Sequence, residues 1–141
     1  MKKRLLVVED NFRLLQAINV CLTKAGFEVM TARDGDDALL RLAETIPDLI
    51  VSDIMMPGTD GFAFAANVRS NPRTDLIPII FLTAKERRED RIAGFRAGVD
   101  AYLVTNDTLN RSDADNVHGH GLTNRHRLMA FYLRAHGGDV A

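Results

Sequence analysis

The sequence is poor in three things, and each shortage narrows what the chain can be. It holds a single cysteine, Cys21, so no internal disulfide can staple it. Cys21 falls within a helical pattern, where a buried packing role is the expectation. No apolar stretch approaches the roughly 18 residues that a bilayer-spanning helix needs. The start, Met1-Lys2-Lys3-Arg4, carries the charge of a secretory leader, but the apolar run behind it stops at Glu9-Asp10, too early for one. A cytoplasmic, membrane-free chain is expected. Surplus charge is absent too: 18 basic residues stand against 19 acidic, so no net field draws the chain to nucleic acid or an anionic surface. What remains is a chain of 141 residues with 46% hydrophobic content, enough for one globular domain with a substantial core.

Against that background, two short apolar runs stand out. Leu5-Leu6-Val7-Val8 ends in the acidic pair Glu9-Asp10, and Leu49-Ile50-Val51-Ser52 ends in Asp53. Each run has the length and composition of a strand buried on both faces. If the two lie parallel and adjacent, three carboxylates converge at one edge of a sheet. Carboxylates held that closely repel one another and favour a hard divalent cation such as Mg²⁺. One of them can then serve as nucleophile toward a phosphoryl group whose charge the metal offsets. A lone strand-end aspartate is usually a cap or turn residue; the Glu9-Asp10 pair is what sets Asp53 apart.

Strand and helix patterns alternate along the first three quarters of the chain. Phe12, Leu15, Ile18 and Leu22 recur at helical spacing, with Gly26 as the C-cap. A strand is expected over 27–32, then a helix carrying Ala38, Leu39, Leu42 and Ala43 that ends before Pro47. Further strands are expected over 49–53, 77–83 and 100–104, with helices over 62–70 and 86–97 between them. Pro78 falls near a strand start, where a missing donor is tolerated. This alternation calls for an α/β fold, a doubly wound parallel sheet with helices on both faces. In such sheets the ligand site lies beyond the carboxyl ends of the strands, which collects Glu9, Asp10, Asp53 and Thr83.

The motifs Leu5-Leu6-Val7-Val8-Glu9-Asp10-Asn11, Asp48-Leu49-Ile50-Val51-Ser52-Asp53 with Met55-Met56-Pro57-Gly58 and Asp60-Gly61, Ile79-Ile80-Phe81-Leu82-Thr83-Ala84, and Gly94-Phe95-Arg96-Ala97-Gly98-Val99-Asp100-Ala101-Tyr102-Leu103 occur in fixed order. Together they resemble the receiver domain of bacterial two-component response regulators, from Lys2 to about Val104. The resemblance implies a flavodoxin-like, five-stranded sheet in the order 2-1-3-4-5. It implies that Asp53 accepts a phosphoryl group from a histidine kinase. Mg²⁺ would be held by Asp10, by Glu9 through water, by the Asp53 carboxylate and by the Met55 backbone carbonyl. Thr83 would be the switch hydroxyl and Tyr102 the switch aromatic, changing the contacts of the fourth helix and fifth strand with a downstream target or output domain. A homodimer over that face and a closing helix is a further implication. Thr83 and Tyr102 also have plainer readings, as a locally bonded strand-end threonine and a half-buried aromatic. Lys85 reads as a solvated lysine at a helix start.

The chain then departs from the family. Where receivers carry a lysine followed by a proline, Thr105 and Asn106 stand here. Losing that lysine removes a charge-assisted contact worth about 1.5–3 kcal/mol, and without the proline a cis bond would cost about 2.5–4 kcal/mol. Residues 1–104 are therefore read as the domain core and 105–141 as an atypical tail, a polar loop followed by a closing helix over 122–136. Its fate as a packed helix, a swapped helix or a frayed end stays open. His118, His120, His126 and His136 all lie in this tail, but His118-Gly119-His120 without a carboxylate is a weak metal pattern. Arg125, Arg127 and Arg134 are too sparse for nucleic-acid binding.

Two functions follow. The first is a phospho-accepting signalling switch, not an enzyme, which the acidic trio favours. The second is a degenerate receiver that binds partners without phosphorylation, which Thr105 and the tail favour. An aspartate-nucleophile phosphatase would need an acid–base aspartate two residues past the nucleophile, and Met55 stands there.

Overall fold

The computed structural model describes residues 2–83 and 88–104. Its elements alternate as expected: β1 (Arg4–Val8), α1 (Phe12–Lys24), β2 (Glu28–Ala32), α2 (Gly35–Glu44), β3 (Leu49–Ser52), α3 (Gly61–Ser70), β4 (Ile79–Thr83), α4 (Arg88–Ala97) and β5 (Ala101–Val104). The strands form one parallel sheet in the order β2-β1-β3-β4-β5. Lys85, Thr105, the four histidines and the closing helix over 122–136 lie outside the described residues.

The two-residue period of the strands explains why both faces are covered. Along β1, Leu5 and Val7 point to one side and Leu6 and Val8 to the other. Leu5 and Val7 join Leu49, Val51, Ile80 and Leu82 beneath Leu15, Ile18 and Leu22 of α1. Leu6 and Val8 join Ile50, Ile79 and Phe81 beneath Ala38 and Leu42 of α2 and Phe64, Ala65 and Val68 of α3. The ring of Phe62 meets Phe81 edge-on at 5.6 Å. Strands apolar at every position are thus strands sandwiched between helix layers, which is the doubly wound arrangement.

Polar side chains start the helices where the sequence changes period. Asn11, Asp34 and Asp60 each cap a helix, accepting from the backbone N–H of Leu14, Asp37 and Ala63, an arrangement worth about 1 kcal/mol per cap. At the far end of α1, Gly26 has φ of 102°, the left-handed position expected after a helix C-terminus.

The structure moves several expected boundaries: β2 begins at Glu28, α3 at Gly61 and β5 at Ala101, and two further shifts have a clear cause. β3 ends at Ser52, not Asp53, because Asp53 leaves the ladder after donating its N–H to the Val8 carbonyl. β4 begins at Ile79, since Ile77 belongs to a turn, its N–H going to the Thr74 carbonyl. Cys21 is half-buried rather than enclosed. Among the described residues, no helix is long and apolar enough to cross a membrane.

At the opposite edge from the strand ends, Arg69 ties several segments together. Its guanidinium donates to the Gly98, Asp75 and Ile77 carbonyls and to Asp100 Oδ2 at 2.8, 3.0, 2.6 and 2.8 Å. The same Asp100 oxygen accepts from the Ile79 N–H.

Candidate functional site

The chain reverses sheet direction at β1, which pairs with β2 on one side and β3 on the other. A crevice opens beyond the carboxyl ends of strands at such a point. Val8 pairs with Ser52 in register, so the residues that follow, Glu9 and Asp53, leave the sheet side by side. Each is fixed by one last ladder bond: Glu9 N–H to the Ala32 carbonyl at 3.0 Å, and Asp53 N–H to the Val8 carbonyl at 2.9 Å.

The expected carboxylates do come together. One oxygen from each of Glu9, Asp10 and Asp53 lies within 4.8 Å of the others. Glu9 is buried, Asp53 half-buried and Asp10 exposed, so the cluster is a shallow pit with its floor in the sheet and its rim in solvent. The Glu9 carboxylate accepts the Asn11 N–H at 3.2 Å. Asp53 Oδ1 accepts the Ile54 N–H at 2.8 Å, and the Met55 N–H also bonds the Asp53 carboxylate. These amides orient the acids without neutralising them. Among the described residues, no ion pair reaches Glu9, Asp10 or Asp53.

The electrostatic consequence is a pair of raised carboxyls. Burial, and next the charge of Asp53, push the Glu9 carboxyl up to about 9. Asp53 is raised as well, chiefly by burial and further by the charge of Asp10, while hydrogen bonds from Glu9, Ile54 and Met55 pull the other way. Both shifts favour the neutral, protonated form of the Glu9–Asp53 pair where no counter-charge is bound. An all-oxygen set of three clustered acids, two of them raised by burial and mutual charge, fits a hard divalent cation.

The loop between β3 and α3 shapes the rim. Ile54 and Met56 are buried, whereas Met55 is 74% exposed; Met55 is thus held by its neighbours' packing, with its backbone beside Asp53. The Gly61 N–H returns to the Ile54 carbonyl at 2.8 Å and closes the loop. A Cβ on Gly61 would lie 2.5 Å from the Asp53 carbonyl oxygen and 2.7 Å from Ile54 Cα, so only glycine fits there. From outside, Thr59 Oγ1 donates to Asp36 Oδ1 of α2 at 2.8 Å, and a Cβ on Gly35 would lie 2.6 Å from the Thr59 carbonyl oxygen.

The backbone places Thr83 at the end of β4 opposite Val104, and Tyr102 on β5 opposite Phe81. Sequence reasoning gave Gly35, Asp36 and Thr59 no part in the site. Gly61 carried a signal in the Asp60-Gly61 pair, but nothing in the sequence couples Asp36 to a threonine 23 positions away.

Known proteins share this fold. The family model of the response regulator receiver domain matches residues 5–109. The chain is 44% identical over 100 residues to the transcriptional regulatory protein AfsQ1 of Streptomyces coelicolor, a match covering 71% of this chain and 43% of AfsQ1; the chain thus accounts for less than half of that relative. Among solved structures, the chemotaxis protein CheY4 of Vibrio cholerae superposes with a TM-score of 0.72 at 34% identity, over 74% of this chain and 87% of CheY4. The Mn²⁺-bound form of response regulator Rcp1 superposes with a TM-score of 0.76 at 25% identity, over 93% of this chain and 94% of Rcp1. With a matching model across most of its length and the same fold around the acidic pit, the chain belongs to the response regulator receiver domain family.

Proposed function

We propose that this chain is a phospho-accepting signalling switch in which Asp53 takes a phosphoryl group from a phosphohistidine of a histidine kinase. The observation that carries the reading is the convergence of the Glu9, Asp10 and Asp53 carboxylates at the β1–β3 crevice, each with an oxygen within 4.8 Å of the others. Asp10, Glu9, the Asp53 carboxylate and the Met55 carbonyl are the groups that would hold Mg²⁺. When bound, Mg²⁺ offsets the acidic charge and that of the incoming phosphoryl oxygens. The Mn²⁺-bound form of Rcp1 supports a divalent site in this fold.

The rest of the chemistry belongs to the chain. The Ile54 and Met55 amides hold the Asp53 carboxylate in place while one of its oxygens attacks phosphorus. The new P–O bond forms as the P–N bond to the donor imidazole breaks. The electron pair leaves with the imidazole, and the product is an acyl phosphate on Asp53. The added dianion supplies strong acceptor oxygens, toward which Thr83 at the end of β4 would donate. Its movement, with Tyr102, would alter the α4–β5 face and its affinity for a downstream protein or output domain. In this reading the chain acts in the cytoplasm as a switch and not as an enzyme.

A second reading, a receiver that binds partners without phosphorylation, draws on Thr105 standing where the family has lysine. Incubation with acetyl phosphate and Mg²⁺, followed by intact-protein mass, separates the two. A gain of about 80 Da in the wild type and none in Asp53→Asn is expected. No gain in a folded, Mg²⁺-binding wild type would overturn the phospho-accepting reading in favour of the second.

A further inference from the structure

The β3–α3 loop does not stand on its own bonds. It leans on the start of α2, an element that contributes nothing to the acidic pit. The contact has two parts. Thr59 Oγ1 donates to Asp36 Oδ1 at 2.8 Å, and the Gly35 backbone lies so close that an added Cβ would be 2.6 Å from the Thr59 carbonyl oxygen and 3.0 Å from its Cβ and Cγ2. Asp36 also borders Gly58, whose added Cβ would lie 3.6 Å from Asp36 Oδ2.

The start of α2 is itself fixed to the site. Asp34 caps it, accepting the Asp37 N–H at 2.7 Å, and the Asp37 carboxylate accepts the Arg33 N–H at 3.2 Å. One residue earlier, the Ala32 carbonyl accepts the Glu9 N–H. A continuous path therefore runs from Glu9 through the end of β2 and the first turn of α2 to Thr59, and back along the loop to Met55 and Asp53. The two sides of the pit are braced across α2 as well as across the sheet.

We propose that Gly35, Asp36 and Thr59 are positioning residues, an outer brace that sets the β3–α3 loop and so the affinity of the acidic pit for a divalent cation. The proposal rests on the reading of Glu9, Asp10 and Asp53 as a cation site. It follows from the geometry: the loop supplies the Ile54 and Met55 amides to Asp53, so a loop released at Thr59 presents those groups over a wider range of positions. Preorganised groups bind more tightly than mobile ones because less ordering remains to be done.

Mg²⁺ titration by calorimetry tests this on wild type, Thr59→Val, Thr59→Ser and Gly35→Ala, with urea unfolding of the metal-free proteins alongside. Thr59→Val keeps the shape and removes the donor; it is expected to raise the Mg²⁺ Kd by roughly two- to tenfold, the range of one hydrogen bond. Thr59→Ser restores the donor and should return Kd close to that of wild type. Gly35→Ala pushes directly on the Thr59 backbone and should weaken binding at least as much. Should Gly35→Ala fail to fold, the Thr59 pair decides alone. An unchanged Kd in Thr59→Val, with only the urea midpoint moved, would overturn the proposal and leave the contact a structural one. If wild type binds Mg²⁺ but takes no phosphoryl group, the phospho-accepting reading falls while the Kd comparison still judges the brace. If wild type binds no Mg²⁺, both fall.

Discussion

Replacing Gly61 by alanine pits two effects of known sign against each other. Gly61 is the first residue of α3, and its backbone has no positive φ. On helix propensity alone alanine should stabilise by about 1 kcal/mol, part of it through the unfolded chain. The packing argues the other way. The new methyl would meet the Asp53 carbonyl oxygen at 2.5 Å, Ile54 Cα at 2.7 Å and the Ile54 carbonyl oxygen at 3.2 Å. All three are backbone atoms, so no side chain can rotate aside. Overpacking costs about 1–3 kcal/mol, and a retreat of α3 would stretch the 2.8 Å bond from Gly61 to Ile54, worth about 1 kcal/mol more. The steric terms win, and Gly61→Ala should lose about 1–3 kcal/mol net. Urea unfolding reads this as a lower midpoint at unchanged slope. Because the displaced atoms belong to Asp53 and Ile54, the variant should also bind Mg²⁺ more weakly. Gly26→Ala is the control: it has nothing within 4 Å of its added Cβ, so its cost of about 1–2 kcal/mol is backbone strain alone, and Mg²⁺ binding should be untouched. A Gly61→Ala protein at least as stable as wild type, with unchanged Mg²⁺ affinity, would refute the reasoning.

Other perturbations follow from the same contacts. Arg69→Met should lower stability by about 2–4 kcal/mol in thermal unfolding, because the Ile77 and Gly98 carbonyls and Asp100 lose their shared donor; Arg69→Lys should recover little, since one ammonium cannot reproduce the fork. Equal stability of Arg69→Met and wild type would contradict that account. The pit also sets a pH dependence. With Glu9 raised from 4.5 to about 9, the folded protein holds a proton that the unfolded chain releases, so this contribution is full below about 4.5 and is lost as pH rises to about 9. Metal-free protein should therefore show a falling melting temperature across that window, and saturating Mg²⁺ should flatten the slope; identical slopes with and without Mg²⁺ would count against a shared site. In Asp53→Asn the repulsion on Glu9 is relieved, so the metal-free variant should melt above metal-free wild type at pH 8, and a lower melting temperature would contradict the charge argument.

The sheet was legible because the central strands carry near-continuous apolar runs. Leu5-Leu6-Val7-Val8 and Leu49-Ile50-Val51-Ser52 can be satisfied only by cover on both faces, and the acids at their ends then fall together through register. Boundaries were less legible. Ile77 continues the apolar pattern of β4 and is buried, yet its N–H is spent in a turn, a choice made by Thr74 and Arg69 rather than by local propensity. The acidic trio was readable from side-chain chemistry at strand ends. Its support was not: Gly35 and Asp36 at the start of α2 meet Thr59 of the β3–α3 loop through tertiary packing, and an aspartate at a helix start reads equally well as a dipole partner. Likewise, the raised pKa of Glu9 comes from burial that the sequence Glu9-Asp10 does not announce.

Locating the phosphoryl group tests the central claim most directly. After treatment with acetyl phosphate and Mg²⁺, borohydride reduces an acyl phosphate to the corresponding alcohol, and peptide mapping then finds the modified position. The account predicts homoserine in place of Asp53 and unmodified Glu9 and Asp10. Reduction at Glu9 or Asp10 with Asp53 intact would contradict the assignment, as would a phosphorylated protein carrying no reducible carboxyl in the pit.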